Sequence, residues 1–209
     1  MDPTRWEDVR RALALRPPAR LERRLAARAA VALLLREASG ALELLFIHRA
    51  EHPGDPWSGQ MGFPGGREEP GDPDLRSTAL RESAEEVGVD PRRAEPLGSL
   101  DELQAVSRRG AMSLTITPFV FRVEPAQRLV PNYEVQAFHW LPLDALLGHE
   151  LRSELDYLHE GRTLRFPCLR AGDLVIWGLT HRIFCNLQGL LDEARFGTAP
   201  QALAGDPRL

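Results

Sequence analysis

Lysine is absent from this chain of 209 residues, and all 26 basic residues are arginine. Arginine binds phosphate through two hydrogen bonds at once, so one interpretation of this bias is phosphate recognition. The abundance of alanine, leucine, glycine and proline favours the other interpretation, a compositional bias of the source genome. The net charge of −4 is spread along the chain, which predicts that the protein has no nucleic-acid-binding surface.

Cysteine and long apolar runs are also scarce. Only Cys168 and Cys185 are present, far apart and without other metal ligands at short spacing, so we expect reduced core residues. The longest apolar run, Ala29–Leu35, is far too short to span a bilayer. The charged residues from Asp2 to Arg11 predict that there is no signal peptide. We therefore expect a cytoplasmic protein with no membrane partner.

The length and a hydrophobic fraction of 43% are sufficient for one domain with a substantial core. We expect this domain over residues 29–196, after an N-terminal helical extension (1–28) and before a C-terminal tail (197–209). Apolar spacing and turn residues predict helices over 4–15, 74–87, 142–147 and 178–195, strands over 29–36, 42–48, 96–103, 113–123, 134–140 and 162–167, and a loop over 50–66. The predicted strands alternate unevenly with few helices, which indicates a mixed α/β (α+β) protein without a doubly wound parallel sheet.

The predicted helix over 74–87 carries an acidic cluster. At about 100° per residue, Glu82, Glu85 and Glu86 fall within an arc of roughly 100° on one face. Like charges four residues apart weaken an isolated helix, so the cluster brings no evident stability. One explanation is a solvated acidic face, the usual interpretation of a charge run. The other is a site for a hard divalent cation, because Mg²⁺ and Mn²⁺ prefer carboxylate oxygens and offset the repulsion.

The residues around the cluster favour the cation site. The run Phe63-Pro64-Gly65-Gly66 is followed by Arg81-Glu82-Ser83-Ala84-Glu85-Glu86-Val87-Gly88. This arrangement resembles the Nudix hydrolase signature, a Gly, then a Glu, then Arg-Glu-x-x-Glu-Glu-x-Gly. The chain departs from it where Asp72 replaces the first Glu, where the segment from Asp72 to the arginine is one residue longer, and where Ser83 takes an apolar position. The resemblance implies a Nudix fold, with a mixed β-sheet sandwiched between α-helices, and metal-dependent hydrolysis of a phosphoanhydride bond.

A second resemblance narrows the substrate. Leu45–Ala50 followed by Gly59–Gly66 looks like the extra motif upstream of the signature in coenzyme A diphosphatases, and Val175–Arg182 resembles the Trp-Gly-Leu-Thr ending of that subgroup. That motif has an arginine midway through its loop, where this chain has Gly54-Asp55-Pro56-Trp57 and one residue extra. The similarity covers about residues 29–195. It implies that coenzyme A or an acyl derivative is cleaved to 3′,5′-ADP and 4′-phosphopantetheine or its acylated form.

The resemblance also implies roles for the residues of the signature. Glu82, Glu85 and Glu86 would bind one or more Mg²⁺ (or Mn²⁺) ions and take part in catalysis. Arg81, four residues before Glu85, would pair with it or orient a neighbouring carboxylate, and we favour this organising role over substrate contact. The attacking water needs a base, from the helix or from a later loop. Glu134 is a candidate for this base or for a further ligand, and an exposed glutamate at the start of a strand is an equally good interpretation.

Five further residues are candidates for substrate binding. Gly65 and Gly66 would let the backbone approach closely, and Arg49 and Arg67 flank the expected pocket and would hold phosphates. Trp57 lies in the loop before the glycines and would contact the substrate, whereas Trp140 and Trp177 stand in apolar runs and are expected in the core.

The segment Gly59–Gly66 would form one wall of the pocket and close over the substrate, with an ordered connector as the alternative.

Three alternatives stay open at this point. The substrate could be another nucleoside diphosphate derivative, such as ADP-ribose, a dinucleotide or a nucleoside triphosphate. The chain could be a catalytically silent Nudix-fold binding module, although such modules tend to lose the metal carboxylates and this chain keeps all three. A homodimer is possible. The expected partner in each enzymatic case is a small-molecule nucleotide.

Overall fold

The computed structural model describes residues 2–21, 27–52, 58–106, 113–159 and 161–197. The helices are α1 (Trp6–Ala14), α2 (Leu75–Val87), α3 (Leu143–Leu147) and α4 (Gly178–Phe196), and Pro91–Arg93 form a short 3-10 helix. The strands are β1 (Ala27–Ala38), β2 (Ala41–Arg49), β3 (Met61–Gly62), β4 (Gly65–Arg67), β5 (Ala94–Ser99), β6 (Leu103–Val106), β7 (Ser113–Val123), β8 (Val135–Pro142), β9 (Arg152–His159), β10 (Arg162–Ala171) and β11 (Leu174–Trp177). Within these ranges, no helix is both long enough and apolar enough to cross a bilayer.

Eight of the strands form one mixed sheet, and this confirms the predicted fold class. Its order is β3-β2-β1-β7-β5, with β4 beside β1, β6 beside β7 and β8 beside β2. β1 and β7 run parallel, and the other recorded pairs of this sheet are antiparallel. Helix α2 covers one face of the sheet, and α1 and α4 cover the other. Strands β9, β10 and β11 form a second, antiparallel sheet.

The central strand β1 separates two hydrophobic cores because its side chains alternate between the faces of the sheet. Leu33 belongs to the core under α1 and α4, while Ala32 and Leu34 belong to the core under α2. Both faces are buried, which explains why the sequence of β1 is a continuous apolar run. The turn from β1 to β2 lies at Ser39 and Gly40, whose φ angles of 51° and 79° suit a tight two-residue hairpin.

Helix α2 confirms the predicted carboxylate helix. The Asp74 carboxylate caps the N-terminus by accepting a hydrogen bond from the backbone N–H of Ser77 at 2.7 Å. Gly88 ends the helix in the left-handed conformation, with φ of 73°. A proline such as Pro73 suits the first turn of a helix, but here Asp74 is the cap residue and Pro73 lies before it.

Three strand predictions differ from the structure. Residues 50–66 are not all loop, since β3 and the start of β4 lie there; both strands are too short and too rich in glycine to show alternation. The predicted strand over 96–103 divides into β5 and β6, because residues 100–102 bulge against the shorter β7 segment between Ile116 and Phe119. β9 and β11 were not predicted. In β9, half-buried and exposed residues alternate, as in a strand with one solvent-exposed face. β11 is very short.

The N-terminal residues pack into the same unit as the rest of the chain. Val9 and Ala12 of α1 are fully buried in the larger core, against α4 and β5. After α1, both Nη atoms of Arg16 bind the Asp101 carboxylate, at 2.7 and 2.6 Å. The backbone N–H of Ala19 donates to the same carboxylate at 2.7 Å. This clasp fixes the segment before β1 to the bulge between β5 and β6.

Candidate active site

Two glycines on β4 bring the backbone against the acidic face of α2. The Gly65 N–H donates a hydrogen bond to Glu86 Oε2 at 2.9 Å. A Cβ atom on Gly66 would overlap the Glu82 carboxylate, and a Cβ atom on Gly65 would lie 2.6 Å from the Cα atom of Val31. Gly65 therefore requires glycine, because its φ of 156° and the Val31 backbone leave no room for a side chain, whereas a side chain at position 66 would displace the Glu82 carboxylate.

Glu86 is the most buried of the three α2 carboxylates, with 2% of its side chain exposed. Burial raises its pKa to about 7, and the charges of Glu82 and Glu134 act in the same direction. The Gly65 hydrogen bond and the guanidinium of Arg49, whose Nη1 lies 3.7 Å from Glu86 Oε1, oppose this shift. Since Glu86 is enclosed by protein, a solvated acidic face does not explain the cluster.

Glu82 and Glu85 both pair with Arg81 but differ in how much of the side chain is exposed, 15% for Glu82 and 54% for Glu85. Arg81 Nη1 donates to Glu82 Oε1 at 3.0 Å and to Glu85 Oε2 at 3.2 Å. Burial raises the pKa of Glu82, Arg81 lowers it, and the charges of Glu85 and Glu134 raise it. The predicted clustering of the three α2 carboxylates on one face is therefore present in the fold.

Arg81 joins the loop after β4 to the acidic face of α2, and its donors are fully engaged by protein. Nε and Nη2 donate to the Asp72 carboxylate at 3.0 Å each, and Nη2 also donates to the Arg67 carbonyl at 3.0 Å. Nη1 serves Glu82 and Glu85. A guanidinium has five N–H donors, and these bonds use all of them. We therefore describe Arg81 as a positioning residue.

Asp72, which departs from the family signature, is the main anionic partner of Arg81. Its carboxylate also accepts hydrogen bonds from Thr78 Oγ1 at 2.9 Å and from the Glu69 backbone N–H at 3.0 Å. The hydrogen bond from Arg81 and the one from Glu69 hold the pKa of Asp72 well below its ordinary value. The substitution and the extra residue therefore still allow a charged tie between the loop and α2.

Glu134 reaches the site from a distant part of the sequence. The segment before β8 runs along the end of α2, where the Asn132 N–H donates to the Glu86 carbonyl at 2.9 Å. The Ala50 N–H donates to the Glu134 carbonyl at 2.8 Å, which ties this segment to the end of β2. The Glu134 charge raises the pKa values of both Glu82 and Glu86. Glu134 therefore joins the acidic cluster, as a base or a ligand requires.

The other substrate-binding candidates have different surroundings. The pairing of β2 with β8 is irregular between His48 and Arg49, and Arg49 extends toward Glu86. The Arg67 side chain is exposed on β4. Trp57 and the C-terminal tail after residue 197 lie outside the described residues. Arg49 is thus the cation placed closest to the buried carboxylate among these candidates.

One residue of this site was missed by the sequence analysis. Tyr133 precedes Glu134, is 79% exposed, and its ring lies 6.4 Å from the ring of His52. Interaction with the adjacent Glu134 carboxylate and the charge of Glu85 raise the pKa of the phenol. The available signal was an aromatic residue directly beside a candidate base.

The residues present fit a hard divalent cation in donor type and burial. In the part of the chain that the structure describes, no three acidic, histidine or cysteine side chains converge on one point. Glu82 and Glu85 turn instead toward Arg81, and Glu86 turns toward Gly65. Carboxylate oxygens are what Mg²⁺ and Mn²⁺ prefer, and a cation would relieve the repulsion within the cluster. Joint binding by all three requires Glu82 and Glu85 to rotate away from Arg81.

The fold and this acidic site match a known class of protein. Residues 26–160 fit the family model described as NUDIX domain. The chain belongs to the Nudix hydrolase family, whose members act on nucleoside diphosphate derivatives. The first resemblance found in the sequence is thereby confirmed.

Two relatives and one solved structure illustrate the similarity. The chain is 36% identical over 148 residues to the uncharacterized Nudix hydrolase NudL of Yersinia pestis (strain Pestoides F). The matched region covers 69% of this chain and 70% of the relative. The same values hold for NudL of Yersinia pseudotuberculosis serotype O:1b (strain IP 31758). The crystal structure of a MutT/nudix family protein from Enterococcus faecalis superposes with a TM-score of 0.52 at 16% identity, over 89% of this chain and 74% of that one. This structural likeness concerns the fold alone.

Proposed function

We propose that this protein is a metal-dependent diphosphatase that cleaves coenzyme A or an acyl derivative to 3′,5′-ADP and 4′-phosphopantetheine or its acylated form. The observation that carries the proposal is the contact of buried Glu86 with the Gly65 N–H, beside the partly exposed Glu82 and Glu85. Burial, and to a smaller extent the neighbouring carboxylate charges, raises the pKa values of Glu82 and Glu86. A bound cation offsets that repulsion, and a diphosphate is a ligand that brings matching negative charge to the cation.

The choice of coenzyme A rests on two segments that resemble the coenzyme A diphosphatases. They are distant in sequence but meet in the fold, since Thr180 Oγ1 donates a hydrogen bond to the Met61 carbonyl at 2.9 Å. Met61 lies on β3, and the chain continues from there to Gly65 and Gly66 at the carboxylates. The contact supports a common role for the two segments beside the diphosphate site.

Hydrolysis breaks a P–O bond of the diphosphate and forms a new one to the oxygen of water. The leaving phosphate keeps the electron pair, and the water gives up a proton. When bound, a divalent cation neutralises the non-bridging oxygens and lowers the pKa of water. We assign the proton-accepting role to Glu134, because Glu86 already binds Gly65 and lies near Arg49. Arg49 contributes positive charge where charge develops in the transition state.

A substrate panel tests this function. Coenzyme A, acetyl-coenzyme A, ADP-ribose, a dinucleotide and a nucleoside triphosphate are incubated with the protein and Mg²⁺ or Mn²⁺, and the products are separated by liquid chromatography. We expect coenzyme A or its acyl derivative to be preferred over ADP-ribose by at least about tenfold in kcat/KM, or about 1.4 kcal/mol of transition-state binding. A tenfold preference for ADP-ribose contradicts the substrate. No product from any compound favours the binding module.

A further inference from the structure

We propose that Tyr133, braced edge-on by His52, is the residue on which the base of a nucleotide substrate stacks at the rim of the site. The proposal rests on the proposed function, because it concerns the nucleotide half of the diphosphate substrate. Neither residue belongs to the family signature, and neither was predicted to contact substrate. The inference comes from the exposure of the ring, its support and its distance from the core.

Tyr133 is far more exposed than a tyrosine that packs in a core. Its side chain is 79% accessible, and neither hydrophobic core includes it. A single exposed aromatic on a surface needs no explanation by itself. This one, however, stands beside the acidic cluster, because it adjoins Glu134 in the chain, the preceding Asn132 N–H binds the Glu86 carbonyl, and the charges of Glu134 and Glu85 act on its phenol. A large apolar ring at the edge of a charged site is suited to a flat, apolar part of the ligand.

One ring contact braces Tyr133. The His52 ring lies 6.4 Å away at an interplanar angle of 87°. An edge-to-face pair covers at most one face of the tyrosine, so the other face stays open. His52 is itself held, since its backbone N–H donates to Ser58 Oγ at 2.8 Å. A ring that is already fixed loses little conformational freedom on stacking.

The position of Tyr133 relative to the carboxylates places it where the nucleoside half of the substrate is expected. The diphosphate is expected over the α2 carboxylates, of which Glu85 is the most exposed and marks the open side of the site. Tyr133 lies on the segment that crosses the end of α2, where the Asn132 N–H binds the Glu86 carbonyl. A group attached to the diphosphate and directed outward past Glu85 therefore meets the Tyr133 ring. Every nucleobase has a π-face, and stacking on an aromatic side chain needs no base-specific hydrogen bond.

Equilibrium binding tests the proposal without turnover. AMP and its base-free counterpart, ribose 5-phosphate, are titrated by calorimetry into the full-length protein with Mg²⁺ present. We expect the wild type to prefer AMP, and Tyr133→Ala to weaken AMP binding at least about fivefold while leaving ribose 5-phosphate unchanged. Tyr133→Phe should behave as the wild type. His52→Ala should weaken AMP binding by a smaller factor. Phe196→Ala, which removes another exposed aromatic (57% accessible) at the end of α4, is the matched control and should change neither ligand.

Several outcomes would overturn the inference. Stacking is contradicted if the wild type binds AMP and ribose 5-phosphate equally well. It is also contradicted if Tyr133→Ala weakens the binding of both ligands equally, or leaves AMP binding unchanged. If Tyr133→Phe weakens AMP binding as much as Tyr133→Ala does, the effect belongs to the hydroxyl. A thermal melt of each variant separates these results from unfolding. Because AMP binding is measured directly, the calorimetric result can be interpreted even if the protein hydrolyses none of the tested substrates.

Discussion

The three carboxylates of α2 differ in how much water they retain, and that difference separates their tasks. Glu86 is enclosed and holds a proton readily, with a pKa of about 7, whereas Glu85 is half exposed and pairs with Arg81. Glu82 lies between them in exposure and rests on Gly66. One arginine and two glycines thus give three identical side chains three different environments.

Replacement of Glu85 or Glu86 by Gln tests the role of these charges. The amide keeps the shape but removes the negative charge that a cation needs, so turnover should fall at least about 100-fold with little loss of folding. Turnover is measured at saturating Mg²⁺ with the best substrate of the panel. Glu154→Gln, at an exposed position on β9, is the matched control and should retain activity. Wild-type turnover in both site variants would show that the assigned mechanism is wrong.

The raised pKa of Glu86 predicts how stability changes with pH in metal-free protein. The folded-state value of about 7 exceeds the ordinary 4.5, so the folded state binds this proton more tightly than the unfolded state does. This contribution to stability is present below pH 4.5 and is lost as the pH rises to about 7, amounting to roughly 3 kcal/mol at most.

Urea titrations with EDTA at about pH 5 and pH 8 compare the wild type with Glu86→Gln. We expect the variant to gain stability relative to the wild type at the higher pH, and Mg²⁺ to reduce that gain. Parallel pH dependence of the two proteins would contradict the burial argument.

At the scale of elements, the site depends on the tie between the loop after β4 and helix α2. Asp72 holds Arg81 by two hydrogen bonds, which leaves only Nη1 for Glu82 and Glu85. Without the Asp72 charge, the guanidinium competes more strongly with a cation for those two carboxylates.

Asp72→Asn should therefore raise the Mg²⁺ concentration for half-maximal activity about tenfold or more. Asp72→Glu keeps the charge and should stay close to the wild type. The measurement is a Mg²⁺ titration of kcat at saturating substrate, with a thermal melt of each variant to check folding. Equal Mg²⁺ requirements in Asp72→Asn and the wild type would show that the tie serves stability alone.

At the scale of the whole molecule, the N-terminal residues complete the larger core. Val9 is fully buried on α1, and the Arg16–Asp101 clasp joins the following segment to the sheet. Helix α1 is too short to be stable by itself, so its order comes from this packing. The cytoplasmic location and the homodimer stay predictions.

Val9→Ala tests whether α1 unfolds together with the rest of the chain. Loss of two buried methyl groups should cost about 1–2 kcal/mol and shift one cooperative transition. The exposed Arg11→Ala is the control and should stay within about 0.5 kcal/mol. Thermal unfolding is followed by both far-UV circular dichroism and tryptophan fluorescence. A separate early transition for α1, or no loss of stability, would show that the N-terminal helix is not part of the main cooperative unit.

Features that depend on neighbours in sequence were predictable. The Asp74 cap, the Gly88 end and the Ser39-Gly40 turn follow from rules that act over a few residues. Short glycine-rich strands and the three-residue bulge at 100–102 were not predictable, because they are stabilised by strands from elsewhere in the chain.

By itself, the local spacing of the sequence determined the mixed α/β class and the acidic face of α2. The contiguous signature motif indicated the family and, through that resemblance, the mixed sheet between helices. Only the tertiary structure decided which carboxylate is buried, brought Glu134 near it, and selected Asp72 as the partner of Arg81. The physical reason is that burial and charge coupling depend on what packs against a side chain. For Glu86, those groups come from β2, β4 and the segment before β8 as well as from its own helix.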